Sequence, residues 1–112
     1  MRTIGIYYLI KDSLEFTADI TRYTRILEEN HHEILARKLL ESGLKTNNYL
    51  FEAQTAILEN DIKNKLAKAK TSAEETLYWY VQCVRSKYFD EDPRLLRIGN
   101  NLIKEISTNA TN

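Results

Sequence analysis

This sequence predicts an all-α protein folded as an antiparallel up-down-up-down four-helix bundle. Three observations carry that expectation. Only three glycines and one proline interrupt 112 residues, which is poor punctuation for a sheet and natural for a few long helices. Apolar residues recur at helical spacing in four separate segments. The connections between those segments are short, so consecutive helices are expected to pack as antiparallel neighbours. The length suits one domain over residues 1–112, with one hydrophobic core.

Helix one is expected over about residues 4–28. Leu9, Ser13, Phe16, Ile20, Tyr23 and Leu27 form its stripe, and Ile6, Ile10, Leu14 and Ile26 broaden it. Asn30 followed by Glu33 has the spacing of a capping box, so helix two is expected from His31, over 31–57. Its face comprises Leu35, Leu39, Leu40, Gly43, Leu50, Ala53 and Ile57. Gly43 beside Ser42 predicts close approach of a neighbouring backbone, because a mid-helix glycine otherwise costs roughly 1 kcal/mol against alanine.

The next boundary carries no Gly or Pro, and phase locates it. Ile62, Leu66, Ala69, Ala73, Leu77, Tyr80 and Val84 form a stripe about a third of a turn away from the forward extension of helix two. A single rod over both segments would also span roughly 85–90 Å, too long for a domain of this size. The break is therefore expected near Leu58 to Asn60, with Asn60 or Asp61 as cap and helix three over 60–89. Asp90, Glu91 and Asp92 before Pro93 form an acidic cap with proline at the first helical position. Helix four then runs over 93–107 with Leu95, Leu96, Ile98, Gly99, Leu102, Ile103 and Ile106 inward, and residues 107–112 are expected to fray.

Composition narrows the functional classes. Sixteen Lys and Arg balance sixteen Asp and Glu, so no bulk basicity points to nucleic acid or to an anionic membrane. The single cysteine, Cys83, excludes an intrachain disulfide and a Cys-rich zinc site, and fits a reducing cytoplasm. Near the start, Arg2 is the only basic residue before Lys11, and Asp12 follows at once, so neither a signal peptide nor a membrane span is expected.

The stretch SGLKTNNYLFEAQTA followed by NDIKNKLAKAKTSAEETLYW resembles the signature region of the bacterial 23S rRNA intervening-sequence proteins, the four helix bundle protein family. The accessory variability protein of diversity-generating retroelements is related to that family. Ser42, Gly43, Leu50, Glu52, Ala53, Asp61, Lys65, Leu66, Ala69, Ala73, Glu75, Thr76, Tyr78 and Trp79 carry the resemblance, and helix order fits along essentially the whole chain. The sequence departs from the pattern at Asn47, Asn48 and Tyr49, at Ile62 in place of Phe, and at Thr71 and Ser72 in place of a Lys-Glu pair.

The resemblance implies a non-enzymatic oligomeric scaffold or adaptor, with a ring-like homo-oligomer, a pentamer, as the expected assembly. Its alternative is an RNA-binding accessory protein working with a reverse transcriptase or another RNA-associated protein. No cofactor, membrane or small-molecule substrate is expected.

The residues themselves offer few competing chemistries. Glu28 to His31 and Glu29 to His32 both read Glu-x-x-His, the ligand spacing of di-iron bundles, but there are no other histidines and the pair sits at a helix junction. A solvated capping turn is the expectation there. Cys83 has no evident partner to make a thiolate, and Gly-rich phosphate loops and Gly-x-Ser-x-Gly are absent. No catalytic, metal or cofactor residues are assigned, and the chain is not expected to be an enzyme.

Lys63, Lys65, Lys68 and Lys70 are the concentrated basic run, with Arg85 and Lys87 further on. They read first as a solvated helix surface, and as RNA contacts if a ring repeats the patch around one rim. In Tyr78-Trp79-Tyr80, about 100° per residue divides the aromatics. Tyr80 points to the core with its hydroxyl on a polar partner, and Tyr78 points outward. Trp79 lies on the flank, where it either covers a neighbouring helix of its own chain or joins Tyr78 in a subunit interface. Three consecutive aromatics on a helix do not make a stacking platform, which needs rings side by side with basic residues between them.

Overall fold

Amphipathic periodicity yields α1 (Arg2–Glu29), α2 (Glu33–Thr55), α3 (Glu59–Arg85) and α4 (Pro93–Thr111). The computed structural model describes the backbone of residues 2–111 and the side chains of residues 5–109. Each helix packs on the next in sequence, and α4 closes back on α1, while across the diagonal the Tyr23 ring of α1 meets the Tyr80 ring of α3 edge-on at 5.3 Å. Cross-links fix the directions. Ser13 bonds Asn47 while Thr17 bonds Gly43, Glu52 meets Lys65 while Lys38 meets Trp79, and Gly5 lies by Asn109 while Asp19 meets Arg94. As numbers rise on one helix they fall on its neighbour, so the bundle is up-down-up-down. The long axis measures 44 Å, close to the roughly 42 Å that α1 spans at about 1.5 Å per residue.

The expected stripes form the core. Phe16, Ile20, Leu39, Leu50, Leu66, Tyr80, Leu95, Leu102 and Ile106 are fully buried. Truncating such a leucine to alanine costs about 2–5 kcal/mol. Two expected core residues are instead outside: Leu14 is 48% exposed and Ile57 93% exposed. Leu14 lies at the margin of the broad α1 stripe. Ile57 leaves the helical phase because α2 stops at Thr55 and Ala56 turns extended at ψ 142°.

The interior also holds small polar side chains. Ser13 and Thr17 both donate to the Asn47 amide oxygen, and Thr24, Ser42, Thr46 and Thr76 donate to carbonyls one turn back on their own helices. Satisfied locally, these hydroxyls enter the core without the cost of an orphaned polar group.

The helix ends differ most from expectation. Asn30 does not cap α2: its side-chain amide donates to the Ile26 carbonyl, and His31 takes a left-handed φ of 65°. His32 N–H reaches Leu27 O and His31 N–H reaches Glu28 O, so a Schellman motif ends α1 and α2 begins only at Glu33. The same motif ends α3 at Arg85 rather than at 89, with Lys87 at φ 63°, Tyr88 N–H on Cys83 O and Lys87 N–H on Val84 O.

The α2–α3 break begins earlier than expected, α2 ending at Thr55 and α3 starting at Glu59. Leu58, extended at ψ 137°, is the N-cap of α3 in place of Asn60 or Asp61 and makes no side-chain cap bond. Thr55 ends α2 by donating to the Phe51 and Glu52 carbonyls. Asp92 does cap α4, its carboxylate accepting from the Arg94 amide at 3.0 Å and the Leu95 amide at 3.4 Å, with Pro93 at the first position. Rather than fraying from Ser107, α4 stays helical through Thr111, and Asn112 lies outside the described residues. No helix is long and apolar enough to cross a membrane among the described residues.

Candidate interaction surface

The aromatic triplet divides as its helical directions require. Tyr80 is fully buried and its hydroxyl accepts the Asp92 amide at 2.7 Å. Burial pushes its phenol up to about 12. Tyr78 is 55% exposed and meets the Trp79 ring edge-on at 5.0 Å. Trp79 is partly buried on the α2 side, where Lys38 places its ammonium 5.0 Å from the ring centroid. Within its own chain, then, Trp79 covers α2. Its Nε1 is buried and has no hydrogen-bond partner among the described residues.

The basic run splits in two. Lys65 donates to Glu52 at 2.8 Å, a bond that holds its ammonium above the usual lysine value. Lys65 and Lys68 both lie over the Tyr49 ring, at 5.9 Å and 5.8 Å. Lys63 and Lys70, about 140–160° around the helix from that pair, fall on the α4 side of α3. Arg85 also lies on that side, where it borders a recess with Leu77, Tyr78, Val81 and Leu96. The five cations therefore occupy two faces.

A symmetry that the residues alone do not announce organises the α2/α3 side. Residues 31–50 and 61–80 carry the same order of buried, half-buried and exposed positions, residue for residue. Ala36 corresponds to Leu66, Leu39 to Ala69, Ser42 to Ser72, Thr46 to Thr76, Leu50 to Tyr80 and Ala53 to Cys83. Because the helices are antiparallel, this correspondence acts as a local two-fold. It exchanges the Lys38–Trp79 contact with the Lys68–Tyr49 contact. Between the two pairs, Lys45, Tyr49, Lys68, Thr71, Ser72 and Glu75 line an open recess of about 300 Å³. Lys38, Lys45 and Tyr49 are thus functional candidates that helical spacing within one segment could not single out.

The remaining sequence candidates stand apart from this face. His31 is 90% exposed and 3.7 Å from Glu33, whereas His32 stacks on Tyr88. Among the described residues, no group of three or more His, Cys, Asp or Glu could hold a metal ion. Cys83 is fully buried, and burial pushes its thiol up.

A second surface is apolar. Tyr7 and Leu14 on α1 are 58% and 48% exposed, and Leu44 and Phe51 on α2 are each 44% exposed. Leu14 lies about 60° around α1 from Thr17, and Leu44 and Phe51 lie within about 60° of Asn47 on α2. Since Thr17 bonds Asn47 across the seam, the four side chains flank one α1/α2 groove.

No family model matches the sequence, and no curated protein matches it. Among solved structures, the chain is similar to a protein of unknown function from the S23 ribosomal protein family of Bacteroides thetaiotaomicron. The two are 25% identical, the match covers 96% of this chain and 99% of the other, and the TM-score is 0.84.

Proposed function

We propose that this chain is a non-enzymatic scaffold or adaptor of the 23S rRNA intervening-sequence type that works as a homo-oligomer. The observation that carries the reading is the exposed apolar face over the α1/α2 seam. Tyr7, Leu14, Leu44 and Phe51 spend about half their surface in water in a chain with net charge zero. A contiguous apolar patch of this kind marks an interaction site, and a balanced charge removes the repulsion that would keep copies apart. The neighbour from the S23 ribosomal protein family supports the resemblance on which the scaffold reading rests.

Light scattering and native mass spectrometry of the purified chain test it. Wild type is expected to be a closed oligomer, a pentamer on the family resemblance, and the double variant Leu14→Glu with Phe51→Glu to be monomeric and folded. A wild type that stays monomeric at tens of micromolar would remove the reading.

RNA contact is the second reading, in which the scaffold serves an RNA-associated partner such as a reverse transcriptase. What favours it is that Lys65 and Lys68 converge on Tyr49 instead of dispersing into solvent. Salt-sensitive binding of structured RNA in fluorescence anisotropy is the expected result, and no binding at low salt would exclude it.

A further inference from the structure

We infer that the α2/α3 groove binds single-stranded RNA, with Trp79 and Tyr49 as two stacking sites and Lys38, Lys45 and Lys68 as phosphate contacts. The inference rests on the RNA reading above and gives it a ligand class and a location.

The argument starts from the repeated pair. A stacking surface needs aromatic rings on one face with cations between them. Tyr78, Trp79 and Tyr80 fail that test on their own helix, but the local two-fold sets Trp79 beside Lys38 and Tyr49 beside Lys68 along one groove. Lys45 lies between the two pairs. Lys38 and Tyr49 are eleven positions apart on α2, so the pairs stand about 16 Å apart at about 1.5 Å per residue. About five nucleotides of a stacked strand cover that distance at about 3.4 Å each.

Magnitudes decide whether a base could displace a lysine from its ring. An exposed cation–π contact is worth about 0.5–1 kcal/mol, and a base stacked on an aromatic ring about 1–3 kcal/mol. Lys38, Lys45 and Lys68 are exposed and none of them forms an ion pair among the described residues, so an ammonium can swing from ring to phosphate. Lys65 is different, since Glu52 holds it at 2.8 Å, and it serves as a fixed wall. Glu75 in the recess and Glu41 on the adjoining turn oppose the phosphates, so binding is expected in the micromolar range at low salt. A duplex presents phosphates but no free base faces to these rings, and the groove therefore discriminates against it.

Fluorescence anisotropy with the full chain tests this, using a labelled RNA 12-mer of mixed sequence and the duplex of the same sequence. The single strand is expected to bind at least tenfold tighter than the duplex. The double variant Lys38→Glu with Lys68→Glu should lose at least tenfold, with a salt slope shallower by roughly 1.4 for two lost contacts. Trp79→Phe should retain binding while Trp79→Leu weakens it several-fold, with circular dichroism melting showing that each variant is folded. Equal binding of strand and duplex, or full affinity in the lysine double variant, would overturn this inference while leaving the RNA reading standing. Absence of binding to any RNA would remove both.

Discussion

The His32 imidazole lies on the Tyr88 ring with centroids 3.9 Å apart and planes 21° apart. Each residue immediately follows the left-handed position of a Schellman motif, His32 after His31 and Tyr88 after Lys87. The stack therefore joins the α1–α2 turn to the α3–α4 turn at one end of the bundle. Phe89 continues that closure by packing on Tyr23 at 4.7 Å and on Tyr80 at 5.5 Å.

The two turns predict a stabilising change. His31 and Lys87 hold φ values of 65° and 63°, where a β-carbon crowds the carbonyl and costs about 1 kcal/mol. Both are exposed, so their side chains contribute little packing. His31→Gly and Lys87→Gly should each raise stability by about 0.5–1 kcal/mol and add when combined, as read by urea denaturation. A loss of stability in both variants would show that the side chains matter more than the backbone strain.

Gly43 and Gly99 should respond in opposite ways to alanine. A β-carbon at Gly43 would meet Ile20 at 3.6 Å and Thr17 at 3.8 Å, which is ordinary contact. The close backbone approach expected there is not what the site requires, and Gly43→Ala should gain up to about 1 kcal/mol from helix propensity. At Gly99 the same atom would fall 2.8 Å from Leu77 and 3.0 Å from Phe16, both core residues. Gly99→Ala should lose about 1–3 kcal/mol by overpacking. Thermal melts of the two variants moving in the same direction would contradict the packing argument.

These contrasts show which parts of the molecule were legible in the residues. Burial along a helix follows its period, so Leu39, Leu66 and Leu102 could be placed inside without coordinates. The Asp92–Pro93 start was legible because a side chain makes the cap. The other ends were not, because backbone geometry at His31, Ala56, Leu58 and Lys87 ends or starts those helices with residues that have no special preference for it. The candidate groove was half legible. Lys65 and Lys68 stood out as a run, but their meeting with Tyr49, and that of Lys38 with Trp79, depends on the antiparallel register of two helices.

The α4 cap should be sensitive to acid. Burial alone would raise the Asp92 pKa, but hydrogen bonds from Tyr23 and the Leu95 and Arg94 amides, with the Arg94 charge, outweigh it and hold the carboxyl below its ordinary 3.8. Because the folded value is the lower one, the stabilisation is present above about pH 4 and is lost as pH falls through the folded value. Asp92→Ala should cost about 1–2 kcal/mol near pH 7, whereas Asp92→Asn, which can still cap, should cost less. Guanidinium denaturation of both variants near pH 7 checks the order, and equal losses would show that capping is not the main contribution.

Glu105 should behave in the opposite sense. Burial first, then the Asp12 charge and a hydrogen bond with Asp12, raise its carboxyl above the ordinary 4.5. The folded protein thus binds this proton more tightly than the unfolded chain does, so the favourable contribution is fully present below about pH 4.5 and is lost as pH rises through the folded value. At neutral pH the two carboxylates oppose each other across α1 and α4. Glu105→Gln removes that repulsion while keeping a group that can hydrogen-bond Asp12. The variant should be more stable than wild type near pH 7 by a few tenths of a kcal/mol, the scale of an exposed charge pair. The difference should shrink as pH falls towards about 4, where the wild-type glutamate takes up its own proton. Urea denaturation at several pH values follows the difference directly, and an advantage that is constant with pH would assign the gain to packing instead of charge.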